Sequence, residues 1–528
     1  MIRITAMARD MALSCCVALA LVGLLAAPLP AKARAVSGEG PGWPSLYYHV
    51  FVRSFADSNG DRIGDLPGLA ARLDYLASLH VTHILVTPVQ ASPFYHNYFA
   101  TDFDAVDPAY GGEAGWLGFV RASHARHMKV ILDEEFQYVA EGHSWWRDNL
   151  GRPGRPEGAF LLWNHPDRQT DPEPFLNAPK YRTHDGRMVG IAMVDLGRDD
   201  VRRWFTEMLR RRIDPHGDGS LADGVDGFRI DHMMDDLDSK HRLVDLFGKF
   251  WRPLIASLKT VNPNLEFIAE QSDWGDGRDY LARGGVDAVF NFPLRAAIAR
   301  LDKAALEQAL NLSAKATPRA KRQLTFIENH DVDRFASVAG PDARKLRIGA
   351  VLDLTLGTDP ILYYGQELGM RGRELKGLGS DGAQIPMREA FRWRADLDAS
   401  GSATWYRSDD PWWTDRANRS GDGVSVEEEE TDSRSLLTYY RTLTALRARR
   451  PELSRGRYLS GCPARPNVFC FTRRLGRRWT FVAINLSDHP AVAPAPRRAG
   501  AFDLMSGVQI TRRRLFLPPW SVALVGSR

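Results

Sequence analysis

The sequence predicts an α/β fold, a (β/α)8 TIM barrel with an inserted loop domain after the third strand and a small C-terminal antiparallel β domain. Three observations support it. Short β-rich apolar runs alternate with amphipathic helical stretches across most of the 528 residues. Eight such runs occur before residue 370, the number that closes a barrel. An open doubly wound sheet would need a glycine-rich phosphate turn after an early strand, and no such turn is present.

In chain order, the first segment stands apart. Arg3 and Arg9 flank the start of the apolar stretch MALSCCVALALVGLLAAPLP, and AKARA ends in an A-x-A site at Ala33 to Ala35. That pattern is a secretory signal peptide over residues 1–35, cleaved after Ala35, and implies a secreted or periplasmic protein. The competing reading is an uncleaved anchor, because the apolar run approaches membrane-spanning length. The strand candidates then follow: LYYHVFV (46–52), HILVTPV (83–89), KVILDEEF (129–136), VDGFRID (225–231), LEFIAEQ (265–271), VDAVFNF (286–292), QLTFIENHD (323–331) and PILYYGQE (360–367). Most gaps hold helical periodicity, as in LPGLAARLDYLASLH and VRRWFTEMLRRRI. Residues 139–195 are too long for one helix and rich in Trp, Pro, Gly and Asp, so they are expected to form an excursion over the barrel mouth. A second irregular stretch covers about 371–432. The helix SLLTYYRTLTALRARRPEL closes the barrel region, 36–455, and NVFCFTRRL, RWTFVAINLS and SVALVGS mark a β-sandwich domain over 456–528.

Composition narrows the partners. Cleavage of residues 1–35 removes four basic residues and one acid, so the formal charge falls from +4 to +1. So balanced a chain offers no electrostatic case for nucleic acid or an anionic membrane. A monomer is the separate expectation for its assembly. Cys15 and Cys16 leave with the signal, and in an exported protein the remaining Cys462 and Cys470 suggest one short-loop disulfide. Two buried free thiols are the alternative.

Four acids fall at or just beyond the C-terminal ends of expected strands: Asp133, Asp231, Glu270 and Asp331. Barrel active sites form at that face, where residues from different strands converge. In Val225–Asp231, alternation puts Arg229 and Asp231 on one face, and Asp226, Phe228 and Ile230 on the other. A metal cluster fits poorly, because few histidines stand at ligand spacing. Glycoside hydrolysis fits better, since it needs one ionised carboxylate and one protonated carboxylic acid. Arg229 would lower the pKa of Asp231, and burial after LEFIA would raise that of Glu270.

GFRID (227–231), IAEQ (268–271) and ENHD (328–331) resemble, in order and spacing, signature regions of the α-amylase superfamily, glycoside hydrolase family 13. YHNYFATDFDAVDPAYGG (95–112) and ILYYGQELGM (361–370) are also similar to that family, and the resemblance runs from about residue 45 to the C-terminus. It implies Asp231 as nucleophile, Glu270 as general acid/base and Asp331 as the transition-state-stabilising carboxylate. Arg229 and His330 would orient those groups, Tyr98 would stack under a sugar ring, and His96 would contact its hydroxyls. Departures exist: DEEFQY places Gln137 and Tyr138 where the family has Asn and a sugar-contacting His, so a common calcium ligand is altered. Asp133 and Tyr138 complete the expected substrate contacts.

The loop DSNGDRIGD spaces oxygen donors at Asp57, Asn59, Asp61, the Ile63 carbonyl and Asp65, a pattern that suits a structural calcium ion, Ca2+. An Asx-rich turn without metal is the alternative. The functional expectation is a retaining hydrolase of α-glucosidic bonds in starch-like α-glucans or maltooligosaccharides. Two other readings stand beside it: a transglycosylase or isomerase using the same triad, and a catalytically silent carbohydrate-binding homologue.

Overall fold

All eight expected runs form parallel strands that close into one barrel: β1 (Tyr47–Val50), β2 (His83–Val86), β3 (Lys129–Glu134), β4 (Gly227–Met233), β5 (Glu266–Gln271), β6 (Ala288–Phe290), β7 (Arg322–Thr325) and β8 (Asp359–Tyr363). The computed structural model describes residues 45–238, 240–407, 417–496, 501–507, 510 and 514–527, so the expected signal peptide lies outside the described residues. Each strand pairs with its sequence neighbours, and β8 returns to β1.

Alternation decides which side chains fill the barrel. Tyr47, Leu85, Ile131, Ile268, Ala288, Leu324 and Ile361 form an inner apolar cluster. Their neighbours Tyr48, Ile84, Val86, Val130, Leu132, Phe228, Ile230 and Leu362 join the larger core shared with the helices. Gly227 lies at a tight point of β4: a Cβ there would come within 2.3 Å of the Glu266 carbonyl oxygen and 2.9 Å of Ile131 Cδ1. At the N-terminal end of the barrel, the Tyr47 hydroxyl donates to Glu266 at 2.7 Å. Arg322 pairs with Glu266 and, at 3.3 Å, with Asp359. These partly buried charges tie β1, β5, β7 and β8 at the end opposite the acids of the strand tips.

Most of the expected runs are trimmed at their ends, and two changes bear on the strand tips. QLTFIENHD is extended only to Thr325, so His330 and Asp331 sit on the loop beyond β7 rather than on the strand. The fourth run continues past Asp231 to Met233, with a register irregularity between Ile230 and Met233 and His232 at φ +44°. The excursion begins with Tyr138–Ala140, which pairs antiparallel with Ile191–Met193 and so fastens both of its ends together.

Beyond the helix Leu436–Arg449, a five-stranded antiparallel sheet follows, in the order Arg457–Gly461, Val468–Leu475, Arg478–Asn485, Ser521–Ser527, Ala501–Asp503. One face, with Phe469, Phe471, Val482, Ile484 and Leu524, joins the main core. The other face, with Val468, Cys470, Phe481 and Val525, packs against Ala493, Leu515 and Leu517 around the two-stranded sheet Ala491–Pro494 and Arg514–Leu517. Cys462 and Cys470 form a disulfide with a Cα–Cα distance of 5.4 Å.

Candidate active site

Strand register brings the acids together. Asp133 on β3 lies opposite Arg229 on β4, and β5 runs along the other side of β4 with Glu270 near its end. The Arg229 guanidinium is 1% exposed and serves three carboxylates at once. Its Nη1 lies 2.6 Å from Asp133 Oδ1 and 2.6 Å from Asp231 Oδ1, while Nη2 donates to Glu270 Oε2 at 2.7 Å. The His232 N–H also donates to Glu270 Oε2 at 3.2 Å.

A second cation holds the fourth expected acid. Arg388 Nη2 donates to Asp331 Oδ1 at 3.0 Å and to Gln384 Oε1 at 2.6 Å. Its Nη1 donates to the Tyr95 hydroxyl at 2.8 Å and its Nε to the His330 carbonyl at 2.9 Å. Tyr98 links the two halves: its hydroxyl donates to Asp133 at 2.7 Å and lies 3.0 Å from His330 Nε2, which is 3.1 Å from Asp331 Oδ2. Its ring stacks on His330, with centroids 5.7 Å apart. Tyr98 stands between two residues with left-handed backbone, Asn97 and Phe99, both at φ +61°. Asn97 is pinned by its amide to the Gln90 carbonyl at 2.6 Å, and the Phe99 N–H donates to the Glu135 carboxylate at 2.7 Å.

Burial and crowding set the protonation states. Asp133 is pushed up to about 6 and Glu135 to about 8, burial being the main cause in both. Glu270 is raised by burial against the opposing pull of Arg229, as expected. Asp231 departs from expectation. Burial outweighs Arg229, the neighbouring carboxylates Glu270 and Asp133 add to the rise, and its pKa lies above the usual carboxylate range. One guanidinium shared by three buried carboxylates cannot neutralise all of them, so the cluster holds at least one proton near neutral pH. Burial lowers His330 and His96 well below the usual histidine value, so both are neutral.

The other expected residues separate. His96 Nδ1 accepts the Tyr98 N–H at 3.2 Å, and its Nε2 lies 3.9 Å from Asp381 Oδ2. Tyr138 packs on Phe175 and Phe99, with centroids 4.6 and 6.0 Å away, and makes no hydrogen bond to the Arg229 cluster. Gln137 braces the irregular end of β4, its amide donating to the Asp231 and His232 carbonyls at 2.6 and 2.8 Å. Asp226 accepts from Val130 N and pairs with His124, both at 2.9 Å, on the outward face. Arg388 and Glu135 were not anticipated. Arg388 lies in the aperiodic 371–432 stretch, and Glu135 is the third acid of a run whose strand ends at Glu134.

The loop at 57–65 is a chain of Asx turns. Asp57 accepts from Asn59, Gly60 and Arg62 N–H groups, Asp61 from Ile63 N at 2.7 Å, and Asp65 caps the helix Leu66–Ala71 through Gly68 N at 2.6 Å. The donors are hard oxygens of the kind calcium takes. Among the described residues, no group of three acidic, histidine or cysteine side chains is arranged to hold a metal ion.

Comparison with known proteins accords with this geometry. The family model for the α-amylase catalytic domain matches residues 49–456. The chain is 27% identical over 425 residues to "Alpha-amylase 3" of Dictyoglomus thermophilum, covering 78% of this chain and 79% of that protein. It is also 27% identical over 410 residues to a 4-alpha-glucanotransferase of Thermotoga maritima, covering 74% and 84%. The crystal structure of an alpha-amylase from H.orenii superposes with a TM-score of 0.74 at 26% identity, over 92% of this chain and all of that one. The match over most of the chain, set on the barrel and its carboxylate cluster, makes this protein a member of the α-amylase family of enzymes acting on α-glucans.

Proposed function

We propose that the protein is a retaining glycoside hydrolase that cleaves α-glucosidic bonds of starch-like α-glucans or maltooligosaccharides. The observation that carries the reading is Arg229 joined to Asp133, Asp231 and Glu270 in one buried cluster. Asp231 and Glu270 share that guanidinium, which suits the close carboxyl pair, about 5–5.5 Å, of a retaining enzyme rather than the wider inverting pair. In this reading the proton that the cluster keeps sits on Glu270, and the Asp231 carboxylate attacks the anomeric carbon while Glu270 gives that proton to the leaving oxygen. Glu270 then takes a proton from water, which displaces Asp231 from the same carbon. Asp331, held by Arg388, stabilises the positive charge that develops on the sugar. Tyr98 and His96 contact the ring being cleaved.

Purified protein is expected to release reducing sugar from soluble starch and maltooligosaccharides. Asp231→Asn is expected to lower that rate by about 10⁴-fold or more. Equal inertness of wild type and variant across α-glucans and sucrose would instead support a silent binding protein. The similarity to a 4-alpha-glucanotransferase favours one second reading, glycosyl transfer by the same two steps with a sugar hydroxyl in place of water. Products longer than the starting maltooligosaccharide would establish it.

The same proposal includes export after cleavage at Ala35, a monomeric state without nucleic-acid partners, and a structural calcium held by Asp57, Asn59, Asp61, the Ile63 carbonyl and Asp65. An ion there would pin the loop between β1 and its following helix. Elemental analysis that finds no calcium, with a melting temperature unmoved by chelation, would remove the calcium from the proposal.

A further inference from the structure

We infer that a cavity between the segment Thr101–Asp104, the turn Gly142–Arg147 and Trp204 is a second carbohydrate site, holding a length of α-glucan chain away from the reacting bond. This inference rests on the α-glucan reading above. The cavity measures about 340 Å³, within the size of small-molecule sites, and no residue of the Arg229 cluster lines it.

Its chemistry excludes most ligand classes. Arg147 is paired with Asp148 at 2.8 Å, and Asp104 with Arg211, so Asp102 leaves the rim acidic and unsuited to anions. His143 is held neutral by burial, its pKa brought down to about 3, and its Nδ1 is taken by the Trp145 N–H at 3.1 Å. No acid or histidine set here is arranged for a metal. A neutral, polyhydroxylated ligand fits what is left.

Trp204 supplies the platform. It lies half-buried on the helix Asp199–Ile213, and its ring neighbours all meet it at steep angles: Trp145 at 78°, Phe205 at 88° and Phe103 at 62°. Among the described residues, none stacks parallel on the indole. A sugar ring offers an apolar C–H face for such a surface, with hydroxyls around its edge. Asp102, exposed and, among the described residues, engaged only by the Asp104 N–H at 2.9 Å, is placed to accept from adjacent hydroxyls, and Ser144 adds a further hydroxyl at the rim. A polymer held here and at the carboxylate cluster at once gains effective concentration, whereas a short oligosaccharide cannot bridge both.

The test titrates maltoheptaose, by calorimetry, into Asp231→Asn protein with and without Trp204→Ala, and compares the rates of otherwise wild-type and Trp204→Ala enzyme on soluble starch and on maltotriose. The expected result is loss of one class of sites, or at least a tenfold weakening of it. The starch rate should fall several-fold and the maltotriose rate stay within twofold. Asp102→Asn, which leaves the packing intact, should weaken the same class, and guards against a Trp204 variant that fails to fold. Unchanged stoichiometry, affinity and starch rate in a folded Trp204 or Asp102 variant overturns the site while leaving the hydrolase reading intact. Binding that depends on Trp204 in a protein that turns over no α-glucan keeps the site and overturns the hydrolase reading. Absence of both binding and turnover overturns both.

Discussion

Arg388 carries as much of the candidate site as any acid in it. Its side chain is 1% exposed and satisfies Asp331, Gln384, the Tyr95 hydroxyl and the His330 carbonyl together. Replacement by methionine would leave Asp331 buried without its cation. Arg388→Met is therefore expected to lower kcat on maltooligosaccharides by about 10²–10³-fold, and steady-state kinetics on the folded variant check this. Glu134 offers a stability test beside the site. Burial pushes it to about 8, although the Gln90 amide donates to it at 2.6 Å. Between the unfolded carboxyl value of about 4.5 and 8, the folded protein keeps a proton that the unfolded chain has lost. Its contribution to stability is thus full in acid and is lost as pH rises through that window. Glu134→Gln stays neutral throughout, so it is expected to melt about 1–3 °C above wild type at pH 8, with the gap closing by pH 4.5. Equal melting-temperature gaps at both pH values would contradict the assignment.

At the scale of elements, β4 does most to build the site. Its alternation sends Arg229 and Asp231 inward and Phe228 and Ile230 to the helix layer, and Gln137 from the β3 side holds its irregular end. The strand lies close to β5 because Gly227 has no Cβ. Gly227→Ala is expected to cost about 1–3 kcal/mol, since the added methyl meets the backbone oxygen of Glu266, which cannot swing away as a side chain would. Urea unfolding measures the cost, and a parallel loss of kcat would show that the displacement reaches Asp231. The eight strands were legible because each is a short apolar run set off by turns and helices. Their ends were less so: QLTFIENHD reads as one extended run, yet only its first part pairs within the barrel.

At the scale of the whole molecule, the C-terminal sheet is joined to the barrel through one face, which belongs to the main core. Arg473 Nη1 donates to the Leu356 carbonyl at 2.9 Å, and Arg447 Nη1 to the Leu354 carbonyl at 2.8 Å, fastening this region to the helix before β8. The disulfide closes a short loop at the sheet's first hairpin. Its loss in a Cys462→Ser, Cys470→Ser double variant is expected to cost about 2–3 kcal/mol by loop-closure entropy. Denaturant unfolding followed by far-UV circular dichroism measures it.

Hydrophobic alternation, turn residues and the positions of acids at run ends are local properties, so they carried the barrel, its C-terminal sheet and the candidate acids Asp133, Asp231, Glu270 and Asp331. A resemblance in ordered motifs added their expected roles. What depended on tertiary structure is everything set by approach through space. The sharing of Arg229 among three carboxylates, the recruitment of Arg388 from an aperiodic stretch and the turning of Gln137 onto β4 have no sequence period to announce them. The pKa of Asp231 shows the reason most plainly. A neighbouring arginine two residues away predicts a lowered value, but the cost of burial and the other acids brought beside it reverse the direction. Desolvation and Coulomb energy depend on distance in the folded chain, and separation along the sequence does not encode it.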